Sequence, residues 1–286
     1  MCDEFTRPAE KAALTRRGFA ALGTAAVIAA CSGGDGEAKP PAGLTGRMVR
    51  VTTPDGTADA FFVHPARGVH PGIVLWPDIA GLRDAIEVMA RRLAEAGYAV
   101  LAVNQFYRNA PAPVLNSFAE WRTPAGQARL QPMIAAITPD RTMRDAAAFV
   151  AFLDGQKAVD KARRIGAGGY CMGGAFAVRT AAAVPGRVGA VASLHGANLT
   201  GAEPDSPVNL IAGTRASFFF AIGRNDDARM PEVKDRLREA AAAAGRPAGI
   251  EVFPADHGWT VPDTPVFDKA QADRARDRML ALFSEL

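Results

Sequence analysis

Short, almost purely apolar segments alternate with amphipathic helical patterns through most of this chain. Two of these segments, GIVLWP (72–77) and AVLAVN (99–104), have the length and composition of strands that are buried on both faces of a sheet. Between them, Ile86, Met89 and Leu93 recur at the spacing of one helix face. Because parallel strands need a crossover that is usually a helix, this order predicts an α/β fold with a mainly parallel central sheet and helices on both faces.

Recognisable segments begin and end the alternating region. RMVRVTT (47–53) and ADAFFVHP (58–65) flank the turn sequence PDG (54–56), which predicts an opening hairpin. The chain closes with FDKAQADRARDRMLALFSEL (267–286), which predicts a terminal helix. We therefore expect one folded domain over residues 47–286, a length within the range of a single α/β domain.

The N-terminus carries the pattern of an export signal. A twin arginine (16–17) precedes an apolar stretch that is too short and too rich in Ala and Gly to span a bilayer. This region resembles the Tat signal, whose pathway carries folded proteins, and IAAC (28–31) resembles a lipobox. The resemblance implies that residues 1–30 are removed, that Cys31 is lipidated, and that the protein is exported as a periplasmic or membrane-anchored lipoprotein. Cleavage elsewhere, for example after Ala38, is the alternative.

Charge and composition exclude several classes of partner. The formal net charge is only +3, and no Lys/Arg run or basic stripe is present, so the chain lacks the pattern of a nucleic-acid-binding protein. Residues 31–46 are rich in Gly, Pro and polar side chains, which is typical of a flexible tether. Contact with a membrane is therefore expected only through the N-terminal lipid. The four histidines are scattered without metal-ligand spacing, and we expect no metal and no cofactor.

The segment GGYCMGG (168–174) contains a thiol without a disulfide partner. Of the three cysteines, Cys2 leaves with the signal and Cys31 carries the lipid, so Cys171 remains alone. A buried cysteine that acts as a small apolar side chain is the structural alternative. The pattern Gly-x-Cys-x-Gly, however, fits a nucleophile elbow, a sharp strand-to-helix turn whose helix N-terminus favours a thiolate. A dinucleotide-binding loop is less favoured, because Cys171 stands where that motif requires glycine.

A base and its orienting acid follow later predicted strands. Asp226, in GRNDD, comes after ASFFFAIG, and His257, in PADHGW, comes after GIEVFP. The order Cys, Asp, His is that of a hydrolase triad, and the carboxyl ends of parallel strands meet at one edge of the sheet. We therefore expect Cys171, Asp226 and His257 to converge, with Asp227 as the alternative acid. His195, at the end of RVGAVASL, either faces the substrate, which we favour, or satisfies a loop.

Five motifs in this order make the chain resemble the dienelactone hydrolase family over essentially all of residues 47–286: WPDIAGLR, NQFYR, GGYCMGG, GRNDD and DHGW. The resemblance implies an α/β-hydrolase fold and a small ester or lactone as substrate. It also implies Cys171 as nucleophile, His257 as base and Asp226 as the acid that orients the base.

The resemblance assigns further roles around the triad. The backbone N–H groups of Ile79 and Met172 would form the oxyanion hole, and Arg108 would hold a substrate carboxylate. Asp78 replaces a glutamate that hydrogen-bonds the resting thiol in family members, so Asp78 is expected to modulate the thiol. Trp259 lies where the founding members have a serine followed by a second arginine, so we expect Trp259 to contact a less charged substrate.

Two alternatives remain open at this stage. Residues 105–137 are long for a loop and either cap the pocket or form a plain surface excursion. A non-catalytic, lipid-anchored ligand-binding protein with the same fold is the alternative function, although such a protein would not need all three triad residues. Thiol redox chemistry is less favoured, because no second cysteine remains to resolve an oxidised intermediate.

Overall fold

The central sheet contains eight strands within residues 43–286, the part of the chain that a computed structural model describes. In chain order they are β1 (Leu44–Thr53), β2 (Gly56–Pro65), β3 (Gly72–Trp76), β4 (Ala99–Val103), β5 (Ile165–Tyr170), β6 (Val188–Leu194), β7 (Ser217–Gly223) and β8 (Ala248–Phe253). Their spatial order is β1-β2-β4-β3-β5-β6-β7-β8. The pairs β1/β2 and β2/β4 are antiparallel and all other pairs are parallel, which confirms the predicted mainly parallel sheet. The predicted signal and the lipidation site Cys31 lie outside the described residues.

Helices cover both faces of the sheet. They are α1 (Asp84–Glu95), α2 (Phe118–Trp121), α3 (Pro124–Ala135), α4 (Pro139–Asp154), α5 (Met172–Ala183), α6 (Pro207–Leu210), α7 (Arg224–Arg229), α8 (Glu232–Ala243) and α9 (Lys269–Phe283), with a 3₁₀ turn at Ile211–Gly213. Helices α1 and α9 pack on one face, and α4, α5 and α8 pack on the other. Within residues 43–286, none of the helices combines the length and the apolar character that a membrane span requires.

Alternation along the buried strands explains why both faces need helices. In β3, Ile73 and Leu75 belong to the core under α1 and α9, whereas Val74 and Trp76 belong to the core under α4 and α5. Trp76 meets Phe149 of α4 edge-on, with 5.5 Å between ring centroids. A strand that is apolar at every position therefore supplies two separate cores, because successive side chains point to opposite faces.

Residues 105–137 fold into ordered structure that the sequence pattern did not predict. Helices α2 and α3 lie in this segment, and Leu115 and Leu130 are buried with Phe106 and Ala80 in a small apolar cluster. The apolar residues of α3 do not recur on one face, and Pro132 lies inside the helix, so the periodicity of the sequence gave no helix signal. The segment packs over the loop that follows β3.

The parallel register brings the ends of the strands to one edge. Trp76 at the end of β3 pairs with Gly169 of β5, and Tyr170 pairs with Leu194 of β6. Gly223 at the end of β7 likewise pairs with Phe253 of β8. The loops after these strands therefore leave the sheet side by side, as the sequence predicted, and they carry the candidate functional residues.

Candidate active site

Cys171 occupies a sharp turn between β5 and α5. Its φ of 54° lies in the left-handed region, which is unfavourable for a residue with a side chain, and the residue is partly exposed. A Cβ on Gly169 would come within 1.9 Å of the Gly173 carbonyl oxygen, and one on Gly173 within 2.4 Å of the Pro77 carbonyl oxygen. Both glycines of the Gly-x-Cys-x-Gly pattern are thus required by close backbone contacts around the thiol.

His257 is oriented by Asp226. The Nδ1 of His257 lies 2.7 Å from Oδ2 of Asp226, at the start of α7, and the His257 backbone N–H donates to Oδ1 of Asn225 at 2.8 Å. Asp227 is instead paired with Lys234 at 2.6 Å. The structure therefore brings Asp226 to the imidazole, and Asp227 is engaged elsewhere.

The environment of His257 favours the imidazolium. Burial by itself would lower the pKa of His257, but hydrogen bonds to the Asp226 carboxylate and to the Cys171 side chain, together with the charges of both groups, raise it to about 10. A protonated imidazole beside a thiol stabilises the thiolate. Cys171, His257 and Asp226 are therefore brought together, and all three are partly exposed.

His195 contacts the backbone of the turn at Cys171 from inside the protein. It is only 1% exposed, and its Nδ1 accepts the backbone N–H of Cys171 at 3.1 Å. The proton must then reside on Nε2, which lies 2.8 Å from Oγ1 of Thr260. Burial and the nearby His257, whose ring centroid is 4.8 Å away, lower the pKa of His195 well below its ordinary value. The expectation that His195 faces the substrate is corrected, because both ring nitrogens are occupied inside the protein.

Trp259 also lies behind the site. Its side chain is fully buried, stacks on Phe253 with 5.2 Å between ring centroids, and contacts the His195 ring edge-on at 5.2 Å. A side chain without exposed surface cannot contact the substrate, so the predicted substrate-binding role of Trp259 is corrected. The indole instead forms an apolar layer against which the His195 ring is held.

Asp78 is bound to an arginine that the sequence analysis did not single out. Both of its carboxylate oxygens accept from the buried Arg83, at 2.7 and 2.9 Å. Arg83 also grips Asp263, at 2.7 and 2.8 Å, so it joins the loop after β3 to the loop after β8. Within residues 43–286, Asp78 has no hydrogen bond to Cys171, and the expected contact with the thiol is therefore corrected.

Arg108 is likewise committed to carboxylates of the protein. It donates to both oxygens of Asp145 at 2.7 and 2.8 Å and to Asp55, in the β1/β2 turn, at 2.6 and 3.0 Å. All three nitrogens of the guanidinium are used. The predicted grip on a substrate carboxylate is corrected, because Arg108 ties the hairpin turn to α4.

The two backbone donors assigned to the oxyanion hole have no partner among the described residues. The N–H groups of Ile79 and Met172 have no hydrogen-bond acceptor among residues 43–286. Met172 is the first residue of α5, where helix geometry leaves the N–H free. The close contact between Gly173 and the Pro77 carbonyl keeps the start of α5 against the loop that carries Ile79.

A cavity of about 210 Å³ lies beside Met172, next to the thiol in sequence. Its walls come from α3, the start of α4, α5 and the loop after β6, and include Ile134, Ile137, Met172, Ala175, Phe176 and Arg179. Ile134 and Ile137 both lie in the segment 105–137, so this segment contributes to the cavity wall. Among residues 43–286, no three His, Cys, Asp or Glu side chains form a group that could hold a metal ion.

Sequence reasoning missed four residues that hold the site together: Arg83, Gln105, Asn225 and Thr260. Each is polar and lies within or next to a motif that was used; Arg83, Gln105 and Thr260 are buried, whereas Asn225 is exposed. Their position in the motifs was the available signal, but the partners that define their roles are far away in the sequence.

Comparison with known proteins places these observations in a family. Residues 58–286 match the model of the dienelactone hydrolase family. A relative from Methylorubrum extorquens, described as a candidate carboxymethylenebutenolidase, is 28% identical over 240 residues, which cover 82% of this chain and 78% of that protein.

Solved structures show the same fold. A candidate dienelactone hydrolase from Klebsiella pneumoniae superposes with a TM-score of 0.73 at 20% identity, covering 85% of this chain and 99% of that chain. P91, a dienelactone hydrolase-like promiscuous phosphotriesterase from metagenomic libraries, superposes with a TM-score of 0.69 at 24% identity, covering 85% and 99%. At these identities the likeness establishes the α/β-hydrolase fold. Together with the family match over almost all of the described domain, it shows that the chain belongs to the dienelactone hydrolase family and is a hydrolase acting on lactones or esters.

Proposed function

We propose that this protein cleaves a small ester or lactone through a thioester on Cys171, with His257 as acid and base and Asp226 as the group that orients His257. The observation that carries the proposal is the position of His257, which hydrogen-bonds Asp226 at 2.7 Å and also interacts with the Cys171 side chain. A nucleophile, a base and an orienting acid in contact meet the geometric requirement for covalent catalysis.

The first half-reaction forms the thioester. The Cys171 thiolate attacks the carbonyl carbon, and the tetrahedral intermediate collapses by breaking the bond to the alkoxy oxygen. The His257 imidazolium gives its proton to the departing oxygen, so the alcohol leaves neutral and the acyl group remains on sulfur. In a lactone, the alcohol stays attached to the acyl chain.

The second half-reaction regenerates the thiolate. Neutral His257 accepts a proton from water as the water oxygen attacks the thioester carbon. The bond to sulfur then breaks, and the thiolate departs beside the newly formed imidazolium. In both half-reactions the N–H groups of Ile79 and Met172 would receive the negative oxygen, a contribution of about 10²–10³ in rate per donor in hydrolases of this type.

The surroundings of the thiol favour a small substrate with little charge. Arg108, which the family resemblance assigned to a substrate carboxylate, and the buried Arg83 are both engaged with aspartates. The neighbouring cavity is lined mainly by apolar side chains and suits an acyl or alkoxy group of a few carbons. This is consistent with the stretch that follows His257, where Gly258, Trp259, Thr260 and Val261 include no arginine.

Turnover of p-nitrophenyl acetate tests the proposal, because this ester is small, uncharged and chromogenic. Cys171→Ala and His257→Ala are each expected to lower kcat/KM by at least about 10³-fold, since triad members act as a unit. Mass spectrometry of the wild-type enzyme, quenched during turnover, should show one acetyl group on Cys171.

The comparison of turnover is valid only if both variants fold as the wild-type protein does. Circular dichroism and denaturant midpoints of the two variants should match those of the wild-type protein. Equal turnover in the wild-type protein and both variants would rule out the assigned nucleophile and base.

A further inference from the structure

In the turn after β3, the two backbone donors that follow Ile79 are satisfied, whereas the Ile79 N–H is not satisfied within residues 43–286. Residues 78–81 form a turn in which the Gly81 N–H donates to the Asp78 carbonyl at 3.1 Å. The Ala80 N–H donates to Oδ1 of Asp78 at 2.9 Å. The Ile79 N–H, between them, has no acceptor among the described residues 43–286. The Ile79 N–H is therefore free among the described residues, at the position proposed to bind the oxyanion.

A buried glutamine holds the carbonyl of the same peptide group. Nε2 of Gln105, in the loop after β4, donates to the Asp78 carbonyl oxygen at 2.7 Å, and Gln105 is only 4% exposed. The residue before it fixes this loop, because Oδ1 of Asn104 accepts the Phe106 N–H at 2.9 Å and its Nδ2 donates to Asp59 at 2.9 Å. The glutamine thus reaches the Asp78 carbonyl from a rigid position.

The carbonyl of Asp78 and the N–H of Ile79 belong to one planar peptide unit. In a trans peptide these two groups point in opposite directions, so fixing the carbonyl also fixes the N–H. We propose that Gln105 is a positioning residue that aims the Ile79 N–H at the oxyanion during the proposed hydrolysis. The inference rests on the proposed function, since it gives a role to one of the two oxyanion donors.

The hydrogen bond from Gln105 affects the Asp78–Ile79 peptide in two ways. Rotation of the Asp78–Ile79 peptide out of its catalytic orientation must break both the Gln105 and the Gly81 hydrogen bonds, whereas without Gln105 only the longer one remains. A donor on the carbonyl also polarises the peptide and strengthens its N–H as a donor, as in other hydrogen-bond chains.

The unpaired atom of Gln105 argues against a role in packing alone. Its Oε1 is buried and has no hydrogen-bond partner within residues 43–286. A buried polar atom without a partner destabilises the folded state, and an apolar side chain of similar size would avoid this cost. The amide at residue 105 is therefore understandable through its N–H donor, which only the Asp78 carbonyl receives.

The test compares Gln105→Met with a matched control, Gln156→Met. Methionine keeps the length of glutamine but cannot donate, and Gln156 makes a similar bond to the Phe152 carbonyl at 3.1 Å in the turn after α4. For p-nitrophenyl acetate, Gln105→Met is expected to lower kcat and kcat/KM together by about 10- to 100-fold, less than the loss of a whole oxyanion donor. Gln156→Met should stay within about twofold of the wild-type protein.

Alkylation of Cys171 by iodoacetamide separates positioning of the oxyanion donor from damage to the thiol. This reaction uses the thiolate but forms no oxyanion, so its rate in Gln105→Met should equal that of the wild-type protein. Unchanged ester turnover, or turnover and alkylation that fall in parallel, would each overturn the proposal.

A crystal structure of Gln105→Met gives a readout that does not depend on hydrolysis. We expect the Asp78–Ile79 peptide to occupy a second, rotated orientation. A peptide that keeps one wild-type orientation overturns the role of Gln105 at any level of activity. If the wild-type protein hydrolyses no ester, the proposed function fails, and the structure still decides whether Gln105 holds this peptide.

Discussion

At the scale of single residues, two adjacent aspartates have different partners and different proposed roles. Asp226 and Asp227 follow β7 in the motif GRNDD, and the sequence alone leaves both as candidates for the acid. In the folded chain Asp226 reaches the His257 ring at 2.7 Å, while Asp227 pairs with Lys234 at 2.6 Å. The direction of each side chain depends on α7 and α8, which the motif does not reveal.

This difference predicts opposite outcomes for the same substitution. Asp226→Asn should lower kcat/KM by about 10³- to 10⁴-fold, because an amide neither holds the reactive tautomer nor stabilises the imidazolium. Asp227→Asn, the matched control, should remain within about threefold, since only a partly exposed ion pair is lost. Steady-state kinetics on p-nitrophenyl acetate measures both. Equal losses in the two variants would contradict the assignment of Asp226.

His195 should make the stability of the fold sensitive to acid. Burial, together with His257 nearby, lowers the pKa of His195 well below 6.5, while the unfolded chain binds a proton there as the pH falls through 6.5. The unfolded state then holds more protons, so this contribution to stability is present above pH 6.5 and is lost below it. His257 affects the stability of the fold in a different pH range. Its raised pKa contributes stability that is lost as the pH rises from 6.5 to about 10.

His195→Asn isolates the acid effect. Asparagine does not titrate, and it tolerates the left-handed backbone that His195 adopts at φ 41°. The variant should be less stable than the wild-type protein at pH 8, and the difference in unfolding free energy should shrink by up to about 1.4 kcal/mol per pH unit below 6.5. Denaturant titrations between pH 5 and 8 measure this. A difference that stays constant with pH would refute a buried neutral His195.

The sequence predicted residues that a motif defines and missed those that a distant partner defines. The proximity of Cys171 and His257 could be predicted, because each follows a strand and the ends of parallel strands meet. The predicted role of Arg108 in binding a substrate carboxylate was wrong, because the carboxylates that it binds lie in the β1/β2 turn and in α4. The predicted contact of Trp259 with the substrate was wrong for a related reason, because the burial of its side chain depends on Phe253 and His195. Charge and aromaticity can be read from a sequence, but the direction of a side chain depends on tertiary packing.

At the scale of elements, the elbow depends on how closely β3 and the start of α5 approach. A Cβ on Gly173 would lie 2.5 Å from the Trp76 carbonyl oxygen and 2.4 Å from that of Pro77. Both atoms are backbone atoms at the end of a central strand, so they cannot move without shifting the sheet. The strand and helix patterns gave β3 and α5 correctly, whereas this contact distance has no signature beyond the glycine itself.

Gly173→Ala should therefore damage both stability and turnover. Overpacking of this kind costs about 1–3 kcal/mol of unfolding free energy, and the displaced turn should also move Cys171 and the Met172 N–H. Gly186→Ala is the control, because a Cβ there meets no atom within 4 Å, and its effect should stay within about 0.5 kcal/mol. Denaturant unfolding and ester turnover measure the pair. A Gly173→Ala protein with wild-type stability and turnover would contradict the required close approach.

At the scale of the whole molecule, the fold places the loops that carry the candidate site on one edge of the sheet, although they come from distant parts of the chain, and then fixes them there. Arg83 links the loop after β3 to the loop after β8 through Asp78 and Asp263. Asp263 also accepts the Phe118 N–H at 2.8 Å, so the segment containing α2 and α3 is tied to the same arginine. The candidate site therefore depends on the complete domain, although the proposed triad consists of only three residues.

The need for a complete, folded domain is relevant to export. We propose export from the twin arginine (16–17) and the IAAC segment that ends at Cys31. Within residues 43–286 the thiol of Cys171 is free and no disulfide is formed, so the domain can fold in a reducing compartment before transport. Folding before transport is what a twin-arginine signal requires.

Two variants test the route and the anchor separately in a bacterial host. Replacing Arg16 and Arg17 with lysines should keep active enzyme in the cytoplasm, because the signal is lost while the domain still folds. Cys31→Ser should remove the lipid, so that labelled palmitate no longer enters the protein and the enzyme leaves the membrane fraction. Ester turnover per mole should equal that of the wild-type protein in both variants, since neither change touches the domain. Export of the lysine variant at the wild-type level would exclude the twin-arginine route, and palmitate in the Cys31→Ser protein would exclude Cys31 as the anchor.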